Sequence, residues 1–192
     1  MTSKPAWAPV PDQIVLSAER LLAQGGLSNA SLNSIAAESE VPRGSILYYF
    51  PEGKNQIVQA ALKAHDETFS ARMEEVLVPG EGFVESLCDL MQSNARKMKA
   101  AGFASGCPVA GVVVDLTGAD EELRLVCADI VKGWEAAMAR GLTELGEAQR
   151  RAAGEFIFAA YEGAILMAKL KKSTAPLLNA ARHIAITLRA LR

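Results

Sequence analysis

The chain has 192 residues, 50% of them hydrophobic and 22% charged, with 20 basic against 22 acidic side chains and a formal net charge of −2. This is the composition of a soluble globular protein with a real core, and it gives no general positive field to attract nucleic acid. No apolar run approaches the roughly 18 residues of a membrane span, the N-terminus lacks the apolar stretch of a secretory signal, and three widely spaced cysteines make disulfides unexpected, so a reducing cytoplasm is the expected compartment.

Pro5, Pro9 and Pro11 mark residues 1–11 as an extended, poorly ordered arm. From Asp12 the apolar residues recur at three and four: Ile14, Ala18, Leu21 and Leu22 predict a first helix, stopped by Gly25 and Gly26. Ser31 before Leu32, Ile35 and Ala36 reads as the N-cap of a second short helix ending near Ser39 and Glu40. Pro42 then suits the start of a third helix, Arg43 to Phe50, because its missing N–H is one that a first turn leaves unpaired anyway. Pro51-Glu52-Gly53 breaks it, and Ile57, Ala61, His65, Phe69, Met73 and Val76 mark a longer helix reaching about residue 78.

Larger amphipathic helices follow. Phe83, Leu87, Leu90, Met91, Asn94 and Met98 share one face. The valine-rich run between Gly106 and Gly118 has strand-like composition, yet it is expected to be a short helix because no partner strand exists elsewhere. Leu123, Val126, Cys127, Ile130, Trp134, Met138, Leu142 and Leu145 form the clearest long stripe. Phe156, Ala159, Ala160, Gly163 and Met167 lie on a helix rich in small residues, and Leu177, Ala181, Ile184, Leu188 and Leu191 step by four and three, the spacing of a packing seam. The expected fold is all-α, about nine helices: a three-helix helix-turn-helix module over 12–62 and a larger helical bundle over 80–192.

Two short helices joined by a tight turn, the second opening on a basic residue, form a unit whose second helix fits the major groove of B-DNA. Helical spacing turns Val41, Ile46 and Phe50 toward the core and Arg43, Gly44, Leu47 and Tyr48 outward. Arg43 can fork onto guanine, Leu47 can touch a thymine methyl, and the hydroxyls of Ser45, Tyr48 and Tyr49 can reach phosphates. Lys54, opening the next helix, can add a phosphate clamp with the helix amides. A solvated helix face carrying half-buried aromatics is the alternative. Residues 1–66 hold five basic against six acidic side chains, so binding would depend on aimed contacts and dimerisation, with a shallow salt dependence.

Residues 12 to about 62 resemble the DNA-binding domain of the TetR family of bacterial transcriptional repressors, through Ile14 to Gly26, Ser31-Leu32-Asn33-Ser34-Ile35-Ala36, Val41-Pro42-Arg43-Gly44-Ser45, and Tyr49-Phe50 with Lys54. The resemblance implies base contacts at Arg43 and Gly44 and phosphate contacts at Ser31, Asn33, Tyr48, Tyr49 and Lys54. It also implies a homodimer whose last two helices form a four-helix interface, and a small effector bound by the C-terminal domain. Two departures stand out: Leu47 occupies the place of a common tyrosine, and one extra residue precedes Lys54. That insertion and Gly106-Cys107-Pro108-Val109 are similar to the branch containing lincomycin-resistance repressors (LmrA/YxaF).

On that analogy Met91, Asn94, Met98, Phe103, Trp134, Met138, Phe156, Tyr161 and Met167 are candidate effector contacts, soft and aromatic with one amide, suiting a small and mostly apolar ligand; each taken singly reads first as plain core. Ala160, Gly163 and Ala164, with Leu177, Ala181, Ile184 and Leu188, are the expected dimer interface. His65 and His183 are too few for a metal site, and the three cysteines read as small hydrophobes. No catalytic residues, metal or cofactor are expected, since no nucleophile–base pair, metal quartet or phosphate loop is present. A ligand-responsive regulator of double-stranded operator DNA is therefore the leading function. A helical-bundle enzyme and a protein-interaction adaptor are the alternatives.

Overall fold

The computed structural model describes residues 9–191, in which nine helices and no strand are found: α1 (Val10–Asn29), α2 (Leu32–Ser39), α3 (Arg43–Tyr49), α4 (Lys54–Val76), α5 (Phe83–Ala100), α6 (Pro108–Asp115), α7 (Glu121–Ala139), α8 (Glu147–Lys171) and α9 (Ala175–Ala190). The arm expected over 1–11 lies outside the described residues up to Ala8, and its last three residues belong to the fold. Pro9 caps α1 and Pro11 sits in its first turn with Asp12. Proline needs no amide partner there, and the carboxylate faces the positive helix end, so these prolines start a helix rather than extend an arm.

The helices sort into two compact units that do not follow the chain in order. One comprises the described residues up to Glu67 together with Ser105–Asp129; the other comprises Thr68–Ala104 with the described residues from Ile130 onward. The expected segments 12–62 and 80–192 follow the chain in order, whereas α6 and the first part of α7 pack with the amino-terminal helices.

In the first unit, α1 runs helically to Gln24 and is interrupted at Gly25 and Gly26. Gly26 has φ +70°, and a Cβ there would lie 2.5 Å from the carbonyl oxygen of Gly111. Gly111, on α6, would in turn drive a Cβ into the carbonyl oxygen of Leu22. Backbone therefore meets backbone, which only paired glycines permit. Two further ties hold the elements: the Gly106 N–H donates to Ala23 O at 2.8 Å, and the Ser28 N–H and hydroxyl both donate to Asp115 Oδ2, at 2.9 and 3.0 Å. The valine-rich α6 is helical because Pro108, Val109 and Val112 bury one face on this contact, while Val114 remains 81% exposed. Ile14, Leu22, Ile35, Ile46, Ile57 and Leu62 complete a sealed core.

The second unit packs α9 against α5 and α8. Trp134, Phe83, Leu87, Leu90 and Met91 are fully buried. The α7 stripe outlasts its helix: α7 ends at Ala139, and Leu142 and Leu145 are buried from the turns that follow. Gly141 lies in those turns with the Phe83 ring where its Cβ would be.

Two sequence expectations are corrected here. The α9 seam of Leu177, Ala181, Ile184 and Leu188, with Ala164 of α8, is buried within its own chain, so these residues cannot form the dimer face assigned to them. On α8 the inward stripe is Ala153, Gly154, Ile157, Tyr161, Ala164, Ile165 and Ala168, which turns Phe156 and Met167 outward, 45% and 36% exposed. The reason is a close approach: a Cβ on Gly154 would collide with the carbonyl oxygen of Glu135, so only the face bearing that glycine can meet α7.

Candidate nucleic-acid interface and ligand-binding core

The side chains expected to meet DNA are set by a short turn. Ser31 caps α2, its hydroxyl accepting the Ser34 N–H at 3.0 Å, and the helix ends at Glu40 in the left-handed region, φ 58°. The buried Ser39 hydroxyl accepts the Val41 N–H, fixing the turn, and Pro42 stands at the N-cap of α3. Val41, Ile46 and Phe50 are buried, while Arg43, Gly44, Leu47, Tyr48 and Tyr49 are exposed, as their spacing requires.

Tyr48 is 80% exposed and meets the Tyr49 ring edge-on at 5.1 Å. A Cβ on Gly44 would meet nothing within 4 Å, leaving the backbone open to close approach. Arg43 reaches back across the turn to Asn33 Oδ1 at 3.4 Å, so two expected DNA contacts steady one another. Ser45 is only half-buried.

Lys54 behaves differently from a bare phosphate clamp. Its ammonium donates to Leu27 O at 2.7 Å, satisfying one of the carbonyls left open in the last turn of α1. Asp115 approaches the same turn from α6, and the Ser28 hydrogen bonds hold its carboxyl below the ordinary carboxylate value, helped by the Lys54 charge. Nothing in the local sequence signals this arrangement, since Ser28 and Asp115 are 87 positions apart.

Most of the residues proposed for an effector lie in the second unit's interior. Met91, Trp134, Met138 and Tyr161 are buried, and Asn94, Met98 and Phe103 are half-buried. The Asn94 amide hydrogen-bonds the Tyr161 hydroxyl. Phe69, from α4, meets Trp134 edge-on at 4.9 Å and stacks parallel to Tyr161 at 6.3 Å, and Phe158 joins Trp134 at 5.8 Å. Sequence reasoning counted Phe69 only as a packing residue, and it passed over Arg72 and Ser93, which hydrogen-bond one another, and Lys97, one turn beyond Ser93 on α5. Of the cysteines, Cys127 is buried and Cys88 and Cys107 half-buried; burial raises the Cys88 thiol and pushes the Cys127 thiol up to about 11.

An exposed recognition-type helix on a small helical module, joined in sequence to a bundle with an aromatic interior, defines a helix-turn-helix regulator. Residues 14–61 match the tetR family of bacterial regulatory proteins, and residues 84–183 match the C-terminal domain of LmrA/YxaF-like transcriptional regulators. The chain belongs to the TetR family, in its LmrA/YxaF-like branch, and is a transcriptional regulator rather than an enzyme. It is similar to the HTH-type transcriptional regulator YxaF of Bacillus subtilis, 29% identical over 180 residues that cover 93% of this chain and 94% of that one. In fold it is similar to the regulatory protein TetR from Rhodobacter sphaeroides, with a TM-score of 0.83 at 21% identity over 93% of this chain and 98% of that one. It is also similar to the regulator CifR, solved with a 26 bp double-strand operator DNA, with a TM-score of 0.78 at 17% identity over 95% of this chain and 97% of that one.

No helix among the described residues is long and apolar enough to cross a membrane.

Proposed function

We propose that the protein is a repressor that binds a palindromic operator as a homodimer and is released by a small, mostly apolar effector. The observation that carries this reading is the outward face of α3, where Arg43, Gly44, Leu47 and Tyr48 stand clear of a sealed core. Arg43 and Gly44 meet bases, and Leu47 replaces a hydroxyl-bearing contact with an apolar one suited to a thymine methyl. Ser31, Asn33, Ser45, Tyr48 and Tyr49 hold phosphates. Lys54 keeps its bond to Leu27 O and still has two ammonium hydrogens for a phosphate oxygen.

Dimerisation uses the outer faces of α8 and α9. Phe156, Gly163, Leu166, Met167 and Leu170, bordered by Ala160, continue onto Leu178 and Ile186, all exposed in the single chain apart from half-buried Ala160. So much apolar surface at helical spacing is costly to leave in water and suits a self-complementary contact between two copies. The dimer sets two recognition helices about 34–36 Å apart, one turn of DNA. An effector held by Met91, Asn94, Met98, Phe103, Trp134, Met138 and Tyr161 favours a spacing that no longer fits, and it acts only in so far as it binds the two states unequally.

Selection of bound fragments from the source genome tests the reading and names the operator. Arg43→Ala should then lower affinity for that operator by about 1–3 kcal/mol while changing random-sequence binding little. An equal loss on both sequences removes the base-reading role, and failure to enrich any fragment removes the function.

A further inference from the structure

On α4, Arg72 stands about one helical turn beyond Phe69, the ring that meets Trp134 and Tyr161, so the two residues share a helix face. That guanidinium donates from Nη2 to the Ser93 hydroxyl at 2.6 Å. Its Nε is shielded from solvent and has no hydrogen-bond partner. On α5, Ser93, Asn94 and Lys97 share a face by their spacing, and Asn94 is the residue bonded to Tyr161. Lys97 lies close enough to Arg72 to feel its charge: partial loss of hydration on an otherwise exposed side chain first, and the Arg72 guanidinium second, depress the ammonium.

Among the described residues neither cation is paired with a carboxylate. Two like charges held together, one with a shielded donor unused, are unfavourable as they stand. An anion placed between them would accept those donors and cancel the repulsion, and a planar carboxylate matches the fork of an arginine.

We propose that Arg72 and Lys97 form the anion-recognising end of the effector site, so that the effector is an aromatic carboxylate, its ring against Phe69 and Trp134 and its carboxylate on the two cations and the Ser93 hydroxyl. This rests on the reading of the second unit's interior as the effector site, and it narrows that site from any small apolar molecule to an anionic one.

The probes are 1-naphthoate and its neutral amide, 1-naphthamide, titrated calorimetrically into the full chain. Naphthoate is expected to bind at least tenfold more tightly than naphthamide. In Arg72→Gln and Lys97→Gln the naphthoate affinity should fall to that of naphthamide while naphthamide binding stays unchanged. Lys97 is exposed, so its variant should fold normally, and Arg72→Lys, which keeps the charge, should retain part of the preference. Equal binding of both probes to the wild type, or a preference that survives both glutamine variants, overturns the proposal but leaves the effector site standing if Trp134→Phe weakens both probes. Binding of neither probe, in protein that still binds its operator, overturns the site reading and the proposal with it.

Discussion

Replacing Gly111 by alanine tests the contact that joins α6 to α1. Two effects oppose each other. In a helix interior alanine is favoured over glycine by about 1 kcal/mol. Here, however, the new methyl would collide with the carbonyl oxygen of Leu22 and sit 3.3 Å from the Gly26 Cα. Both are backbone atoms of a packed helix and cannot swing aside as a side-chain tip would. Overpacking of this kind costs about 1–3 kcal/mol, so the collision should win, leaving a net loss of up to about 2 kcal/mol. For a chain of this length that corresponds to a fall in Tm of up to roughly 8 °C.

Gly133 is the control: it lies within α7, is exposed, and a Cβ there would meet nothing within 4 Å. Gly133→Ala should stabilise by up to about 1 kcal/mol. Thermal unfolding by circular dichroism gives the sign in each case. Amide hydrogen exchange locates the effect, because Gly111→Ala should deprotect residues 20–29 and 108–115 while leaving α8 and α9 unchanged. A Gly111→Ala protein as stable as the wild type, or more so, would refute the claim that backbone contact sets this interface.

Other substitutions separate assembly from folding. Leu170→Glu, at a side chain 72% exposed, should shift sedimentation from dimer to monomer with little change in Tm, whereas Leu177→Ala, at a fully buried one, should cost about 2–5 kcal/mol of stability. Dimerisation unaffected by a glutamate at Leu170 would place the interface elsewhere. Acid provides a third test. Asp115 is held below its ordinary value of 3.8 by the Ser28 hydrogen bonds, so its contribution is complete above that value and is lost as pH falls through the depressed one. Urea midpoints measured between pH 5 and pH 2 should therefore fall less steeply in Asp115→Asn than in the wild type; parallel curves would contradict the clamp.

The helices of the DNA-binding module could be read from sequence because their ends are marked chemically: Ser31 as a cap, Pro42 before α3, Pro51-Glu52-Gly53 after it. The outward face of α3 followed from spacing alone, since Val41, Ile46 and Phe50 leave it no other orientation. Spacing failed on α8 and α9 because each has apolar residues on two faces. Which face turns inward on α8 is decided by the missing side chain of Gly154 against Glu135, a contact between elements that periodicity cannot reveal. The same applies to Asp115 on Ser28 and to Lys54 on Leu27. Arg72 and Ser93 resemble any solvated helix surface until the fold joins them across α4 and α5 by a hydrogen bond.

The packing of Ser105–Asp129 with the amino-terminal helices bears on how regulators of this kind can be recombined. A chimera joined near residue 80, where the polypeptide looks divisible, would set a foreign α6 on the resident α1, and any residue larger than glycine at position 111 would strike Leu22. A graft that carries residues 105–129 along with the reader helices keeps Gly26, Ser28, Gly111 and Asp115 as a matched set. The heritable module is thus two separated stretches of chain, and a substitution tolerated at one of these four positions should depend on what occupies the other three.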